Sequence, residues 1–213
     1  MEKYDVVYIL KQEVEPGEIV FSLRSIEKTL PHGKVWFYCG KPEGIEPDRY
    51  VQHKQIGGSK WERTKSSLKA ICKNDEITEK FWLFNDDFYV LKPVTSEEPM
   101  YRGLILDHVR DVERRHNGAT SYTRQLRICD SYLRDAGQTR LDYTLHAPML
   151  IERVKMIDTL DMFPSCPMFR SLYGNFAKIG GTFHRDVKTI NPDKEIPADA
   201  DYFSTSEKSF KGY

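Results

Sequence analysis

The 213-residue chain has no excess of either charge: 32 Lys and Arg stand against 32 Asp and Glu. A balanced chain has no global field to draw it onto a polyanion or an anionic membrane, so nucleic acid is not indicated as a partner. No apolar run comes near the roughly 18 residues that a membrane span needs. The opening MEKYDVVYIL passes from charged residues straight into a strand-like segment, unlike a signal peptide. Cys39, Cys72, Cys129 and Cys166 are scattered and contain no CxxC pair, so neither a zinc site nor a disulfide framework is indicated. Internal repeats, low-complexity segments and a GxGxxG loop are also lacking. These absences point to a soluble protein of the reducing cytoplasm.

What is present is the composition of one sizeable core, 39% hydrophobic and 30% charged. The pattern predicts an α/β fold. DVVYIL (5–10) reads as a buried strand, EPGE (15–18) as a turn, and Ile19, Leu23, Ile26 and Leu30 as one face of a helix that Pro31 and Gly33 stop. VWFYCG (35–40) is a second strand, which makes a βαβ unit with parallel pairing. VQHKQI (51–56) is an edge-like third strand, residues 61–73 a helix, and FWLFND (81–86) the fourth strand, followed by FYVLKPV (88–94).

The second half reads as helical. The segments 122–137, 149–163 (MLIERVKMIDTLDMF) and 165–181 each predict a helix, and the tail from 191 is polar and turn-rich. RDVERRH (110–116) is either a local basic patch or a solvated helix face. A single domain over 1–213 is expected, with a nucleotide-binding half (1–95), a helical acceptor-side half (96–190) and a polar tail (191–213).

The chemistry concentrates in Asn85-Asp86-Asp87, at the end of an apolar aromatic strand. An unpaired buried carboxylate costs several kcal/mol unless it is hydrogen-bonded or bound to a metal. On an extended strand Asn85 and Asp87 share one face and Asp86 takes the other. Hard oxygen ligands at a strand's carboxyl end suit Mg²⁺ or Mn²⁺ bridging to a diphosphate. The alternative is that both aspartates cap turns or pair with basic residues.

FNDDF (84–88), the opening YDVVYIL (4–10), LHAPML (145–150) and FRSLYGN (169–175) occur in this order. Together they resemble GT-A-fold nucleotide-sugar transferases, and among them the Stealth-type sugar-phosphate transferases. Asn85 stands where the GT-A motif usually has its first Asp. The resemblance spans roughly residues 4–190 and implies a GT-A-like, mostly parallel sheet flanked by helices. It also implies a nucleotide-sugar donor, a UDP-sugar first among them, a hydroxyl acceptor, and Mn²⁺ or Mg²⁺ held by Asp87 with Asp86 or Asn85.

His146, before Pro148 and an expected helix start, is the candidate base toward the acceptor or a diphosphate ligand. Arg170 is the candidate diphosphate clamp, and Asp86 the remaining catalytic carboxylate. Asn175 follows in the same motif. Arg24, Lys60 and Lys65 are candidates for the nucleotide, with solvated surface positions as the alternative.

HRDVKTIN (184–191) matches the protein-kinase catalytic loop at every fixed position. A kinase also needs a Gly-rich loop and downstream DFG and APE, and these are missing. His184 or Asp186 is instead the candidate further metal or acceptor residue.

Attack at the anomeric carbon gives glycosyl transfer, ranked first because the chain is compact. Attack at the β-phosphorus gives sugar-1-phosphate transfer. The rivals are a non-catalytic nucleotide- or sugar-binding module and a nucleotidyltransferase, the latter lacking its Gly-rich loop in KQEVEPGE (11–18).

Overall fold

A computed structural model describes residues 2–191, 196 and 199–210. In chain order the elements are β1 Tyr4–Ile9, α1 Gly17–Thr29, β2 His32–Tyr38, β3 Arg49–Val51, α2 Lys60–Lys73, β4 Lys80–Phe84, β5 Phe88–Val90 and β6 Met100–Tyr101. There follow α3 Ile105–His116, α4 Ser121–Asp135, β7 Met149–Glu152, α5 Arg153–Met162, α6 Phe169–Phe176, β8 Thr182–Phe183, β9 Tyr202–Ser204 and the short α7 Glu207–Phe210. They form two compact units. One comprises Met1–Glu97, His146–Arg153 and Val187–Tyr213; the other comprises Glu98–Leu145 and Val154–Asp186. The first unit therefore draws on three stretches of sequence and not on the 1–95 half alone.

The first unit is an α/β layer structure built on a mixed sheet of order β3-β2-β1-β4-β7. β1 pairs in parallel with β2 and β4, and β2 with β3; β4 and β7 are antiparallel. Alternation along the strands sorts the two faces. Tyr4, Val6 and Tyr8 of β1, Phe37 of β2 and Phe84 of β4 join Ile19 and Ile26 of α1 in one core. α2 closes on the other face, where Asn74 Nδ2 donates to the Tyr38 hydroxyl at 2.8 Å and Ser67 Oγ meets Cys39 Sγ at 3.2 Å. A reciprocal capping box between Ser59 and Glu62 starts α2 after the Gly57-Gly58 turn.

Four expectations change. MLIE (149–152) is not the first turn of a helix but the strand β7, with Met149 opposite Leu83 and Glu152 opposite Lys80. Its burial alternates with period two, and the helix begins only at Arg153. The edge strand lies at Arg49–Val51, earlier and shorter than 51–56. The expected helix 165–181 contracts to Phe169–Phe176. Within the polar tail, Tyr202–Ser204 forms β9, which pairs antiparallel with β5; residues 192–195, 197–198 and 211–213 lie outside the described residues.

The second unit is helical, with a two-stranded parallel pair of β6 and β8. α3 is a strongly amphipathic helix with Ile105, His108, Val109 and Val112 buried, while Arg110, Arg114 and Arg115 are exposed. The RDVERRH run is thus a solvated face. α4 opens on a capping box between Thr120 and Thr123. In α6, Gly174 lies against the Tyr143 ring, which a Cβ would meet at 2.4 Å.

Candidate functional site

The order of the sheet places a topological switch between β1 and β4. The chain runs outward from β1 through β2 to β3, then returns by α2 to the other side of β1. Open α/β sheets bind ligands in the crevice beyond the strands' carboxyl ends at such a point. Three segments of the first unit end there. Leu10-Lys11 leaves β1, Asn85-Asp86-Asp87 leaves β4, and His146-Ala147-Pro148 leads into β7, whose antiparallel register sets Met149 beside Leu83.

The strand does not continue through the aspartates. It stops at Phe84, and residues 85–88 form a turn closed by the Phe88 N–H on the Asn85 carbonyl at 3.3 Å. Asp86 and Asp87 are its two central residues, so strand alternation does not sort their side chains. Asn85 is exposed, while both aspartates are half-buried.

Their electrostatics differ. Burial, followed by the charge of Asp87, raises the Asp86 carboxyl above the ordinary carboxylate range; turn N–H groups and the Lys11 charge oppose this. Asp87 Oδ2 is compensated by Lys188 Nζ at 2.9 Å and by the Ser204 hydroxyl, which donates at 3.3 Å. Its Oδ1 is enclosed and has no hydrogen-bond partner among the described residues.

A third carboxylate, Glu18 in the first turn of α1, accepts from Thr205 Oγ1 at 2.6 Å. Burial and then the charges of Asp86 and Asp87 raise it, against the Thr205 bond and the Lys188 charge. Tyr89 completes this network, its hydroxyl 2.9 Å from Thr205 Oγ1. Sequence reasoning missed Glu18, Lys11 and Thr205. The signal for the first two was their place just after the first strand and at the first helix start.

Could a divalent ion fit here? The unpartnered Asp87 Oδ1 and the raised Asp86 carboxyl are the donors that a hard cation compensates, and two carboxylates completed by phosphate oxygens and water suit Mg²⁺ or Mn²⁺. Among the described residues no group of three or more His, Cys, Asp or Glu side chains is already gathered to hold a metal. The turn therefore fits an ion that arrives with its phosphate better than a closed protein cage.

The remaining candidates have other surroundings. His146 is half-buried in a bend before a strand, not at a helix N-terminus, so the helix dipole gives it no phosphate affinity. Arg24 is exposed, 5.9 Å from the Phe21 ring centroid, and Lys60 is exposed at the start of α2. Lys65 is buried, not solvated. Arg170, Asn175, His184 and Asp186 belong to the second unit. Arg170 Nη1 donates to the Leu145 carbonyl at 2.8 Å, and Asp186 pairs with Arg102 Nη1 at 2.9 Å. His184 Nε2 is 3.1 Å from Thr182 Oγ1. Asn175 is buried with both ends of its amide engaged: Oδ1 accepts from Thr139 Oγ1 and the Leu141 N–H, and Nδ2 donates to the Leu141 and Ser171 carbonyls.

The aspartate of the opening motif is structural. Asp5 is buried in β1 and accepts from the Lys34 N–H and from Trp36 Nε1, both at 2.8 Å. Comparison with models of known protein families and with curated proteins finds no match for this chain. No helix among the described residues is long and apolar enough to cross a membrane.

Proposed function

We propose that the protein is a nucleotide-sugar-dependent transferase on a GT-A-like sheet, moving a glycosyl group from a nucleoside-diphosphate sugar to a hydroxyl acceptor. One observation carries this reading: the Asn85-Asp86-Asp87 turn, the end of β1 and His146 share the carboxyl end of the parallel strands at the topological switch. The order of motifs that resembles the sugar transferases supports the choice of donor.

In glycosyl transfer the bond from the anomeric carbon to the diphosphate oxygen breaks with its electron pair on the leaving group. A bond to the acceptor oxygen forms, and that oxygen loses its proton. Lys188 and Lys11 supply positive charge near the aspartate turn. Asp87 and Asp86 would hold a Mg²⁺ or Mn²⁺, which when bound neutralises charge on the diphosphate. His146, at the same end of the sheet, is the group assigned to accept the proton. Arg170, His184 and Asp186 take no step in this scheme.

The test is donor hydrolysis across a panel of nucleotide sugars, UDP-sugars first, with Mn²⁺ or chelator, comparing wild type with Asp87→Ala. Release of nucleoside diphosphate that is lost in the variant supports the proposal. Release of nucleoside monophosphate transfers the assignment to sugar-1-phosphate transfer. No release, with no metal-dependent nucleotide binding, overturns it.

A further inference from the structure

The second unit contains a buried acid–base pair that the proposed transfer scheme leaves unused. His108 sits on the core stripe of α3 between Ile105 and Val112, 6% exposed. Its Nδ1 is 2.5 Å from Asp142 Oδ2, and Asp142 is wholly buried. The other carboxylate oxygen, Oδ1, accepts from the Thr144 N–H at 2.8 Å, from Thr144 Oγ1 at 2.6 Å and from Ser171 Oγ at 3.1 Å. Four donors converging on one carboxylate select its ionised form and a single orientation.

A carboxylate on Nδ1 fixes a ring proton there and leaves Nε2 as the nitrogen turned away from Asp142. Nε2 has no hydrogen bond among the described residues, nor is it among the enclosed unpartnered side-chain atoms, so part of the residual exposure falls on it. Packing holds the ring in place: Tyr122 meets it edge-on with centroids 5.6 Å apart, and the Tyr122 hydroxyl is 3.2 Å from Thr144 Oγ1. The other charged groups acting on Tyr122 are Asp142, Arg102 and Asp186, the last two paired with each other.

A histidine oriented by a buried carboxylate, with its second nitrogen open, presents one fixed hydrogen-bonding group to a ligand hydroxyl. We propose that the second unit carries a hydroxyl-binding site of its own, in which His108 Nε2, oriented by Asp142, hydrogen-bonds to the hydroxyl of an alcohol or sugar ligand. The proposal does not depend on the assignment of a nucleotide-sugar donor.

The test is ethoxycarbonylation of the folded full chain by diethyl pyrocarbonate, read at each histidine by peptide mass, with exposed His116 as internal reference and glycerol as the hydroxyl probe. His108 is expected to react despite its burial, to be slowed several-fold by glycerol while His116 is not, and to react about tenfold more slowly in Asp142→Asn. Thr144→Val, which removes a single bond to the carboxylate, gives a milder second variant should Asp142→Asn not fold. No reaction at His108 where His116 reacts would overturn the site. Reaction without glycerol protection would overturn its assignment to hydroxyl ligands.

Discussion

Lys188 Nζ stands 2.9 Å from Asp87 Oδ2, an ion pair that joins residues 101 positions apart within the first unit. Both side chains are largely buried, at 25% and 14% exposure. Removing one partner therefore strands a desolvated charge. Lys188→Met is expected to lower stability by about 2 kcal/mol, below the range for a fully buried pair because some water reaches both ends. Urea denaturation checks the value. A double-mutant cycle with Asp87→Asn should recover most of it, since the neutral amide no longer needs the lysine.

Asp86 behaves in the opposite sense. Burial and the Asp87 charge raise its folded-state pKa above the unfolded value. The folded state then holds the proton more tightly, and stability falls as pH rises from the unfolded value through the folded one. Asp86→Asn should therefore be more stable than wild type at pH 7, by about 0.5–2 kcal/mol, and flatter with pH, while donor turnover falls. Urea midpoints between pH 4 and 8, set beside the hydrolysis assay, measure both. A site that is more stable without its carboxylate is one maintained for chemistry.

Asp142 reverses the sign again. Burial pushes its carboxyl up, but the His108 hydrogen bond and charge and the two Thr144 donors outweigh it, and the net shift is below the ordinary range. Its contribution is complete above the unfolded pKa and disappears as pH falls through the folded one. Asp142→Asn should lose about 2–3 kcal/mol at pH 7, and the loss should shrink on acidification. Thermal or urea unfolding from pH 7 to pH 2 gives the comparison.

Gly40 tests the ground under the switch point. At the end of β2 its Cα faces the Lys11 carbonyl oxygen, which an added Cβ would meet at 1.8 Å. That neighbour is backbone and cannot rotate away. Gly40→Ala should destabilise by about 2–3 kcal/mol and disturb the Lys11 segment. Hydrogen exchange of the amides around Lys11 would show the local opening.

Much of the first unit can be read along the chain because its strands are short apolar runs punctuated by Gly and Pro, and its first helix repeats Ile19, Leu23, Ile26 at helical spacing. β7 escaped because MLIE joins the next helix without a turn residue, and only the alternating burial of Met149 and Ile151 distinguishes the two. The aspartates stood out as charge within an apolar run. That they occupy a turn follows from the Phe88 N–H returning to Asn85, a local bond invisible in composition. Lys188 lies inside the kinase-like string, of which His184 and Asp186 are the residues read as metal or acceptor candidates. Its role comes from β9, a three-residue strand in a polar tail, with too little length to show a period. His108 was legible in principle as a histidine within the stripe Ile105, Val109, Val112, but its partner Asp142 is 34 residues away.

The pairing of β5 with β9 also has a temporal meaning. A ribosome extending at about 5–20 residues per second needs roughly 5–20 s to go from Asp87 to Lys188. During that interval the nascent sheet can assemble from β1 to β4 while its acidic turn still awaits its own lysine. Closure of the first unit is thus a late, vectorial event, and the emerging chain passes through a stage in which the aspartates are exposed to whatever cations the surrounding solution supplies.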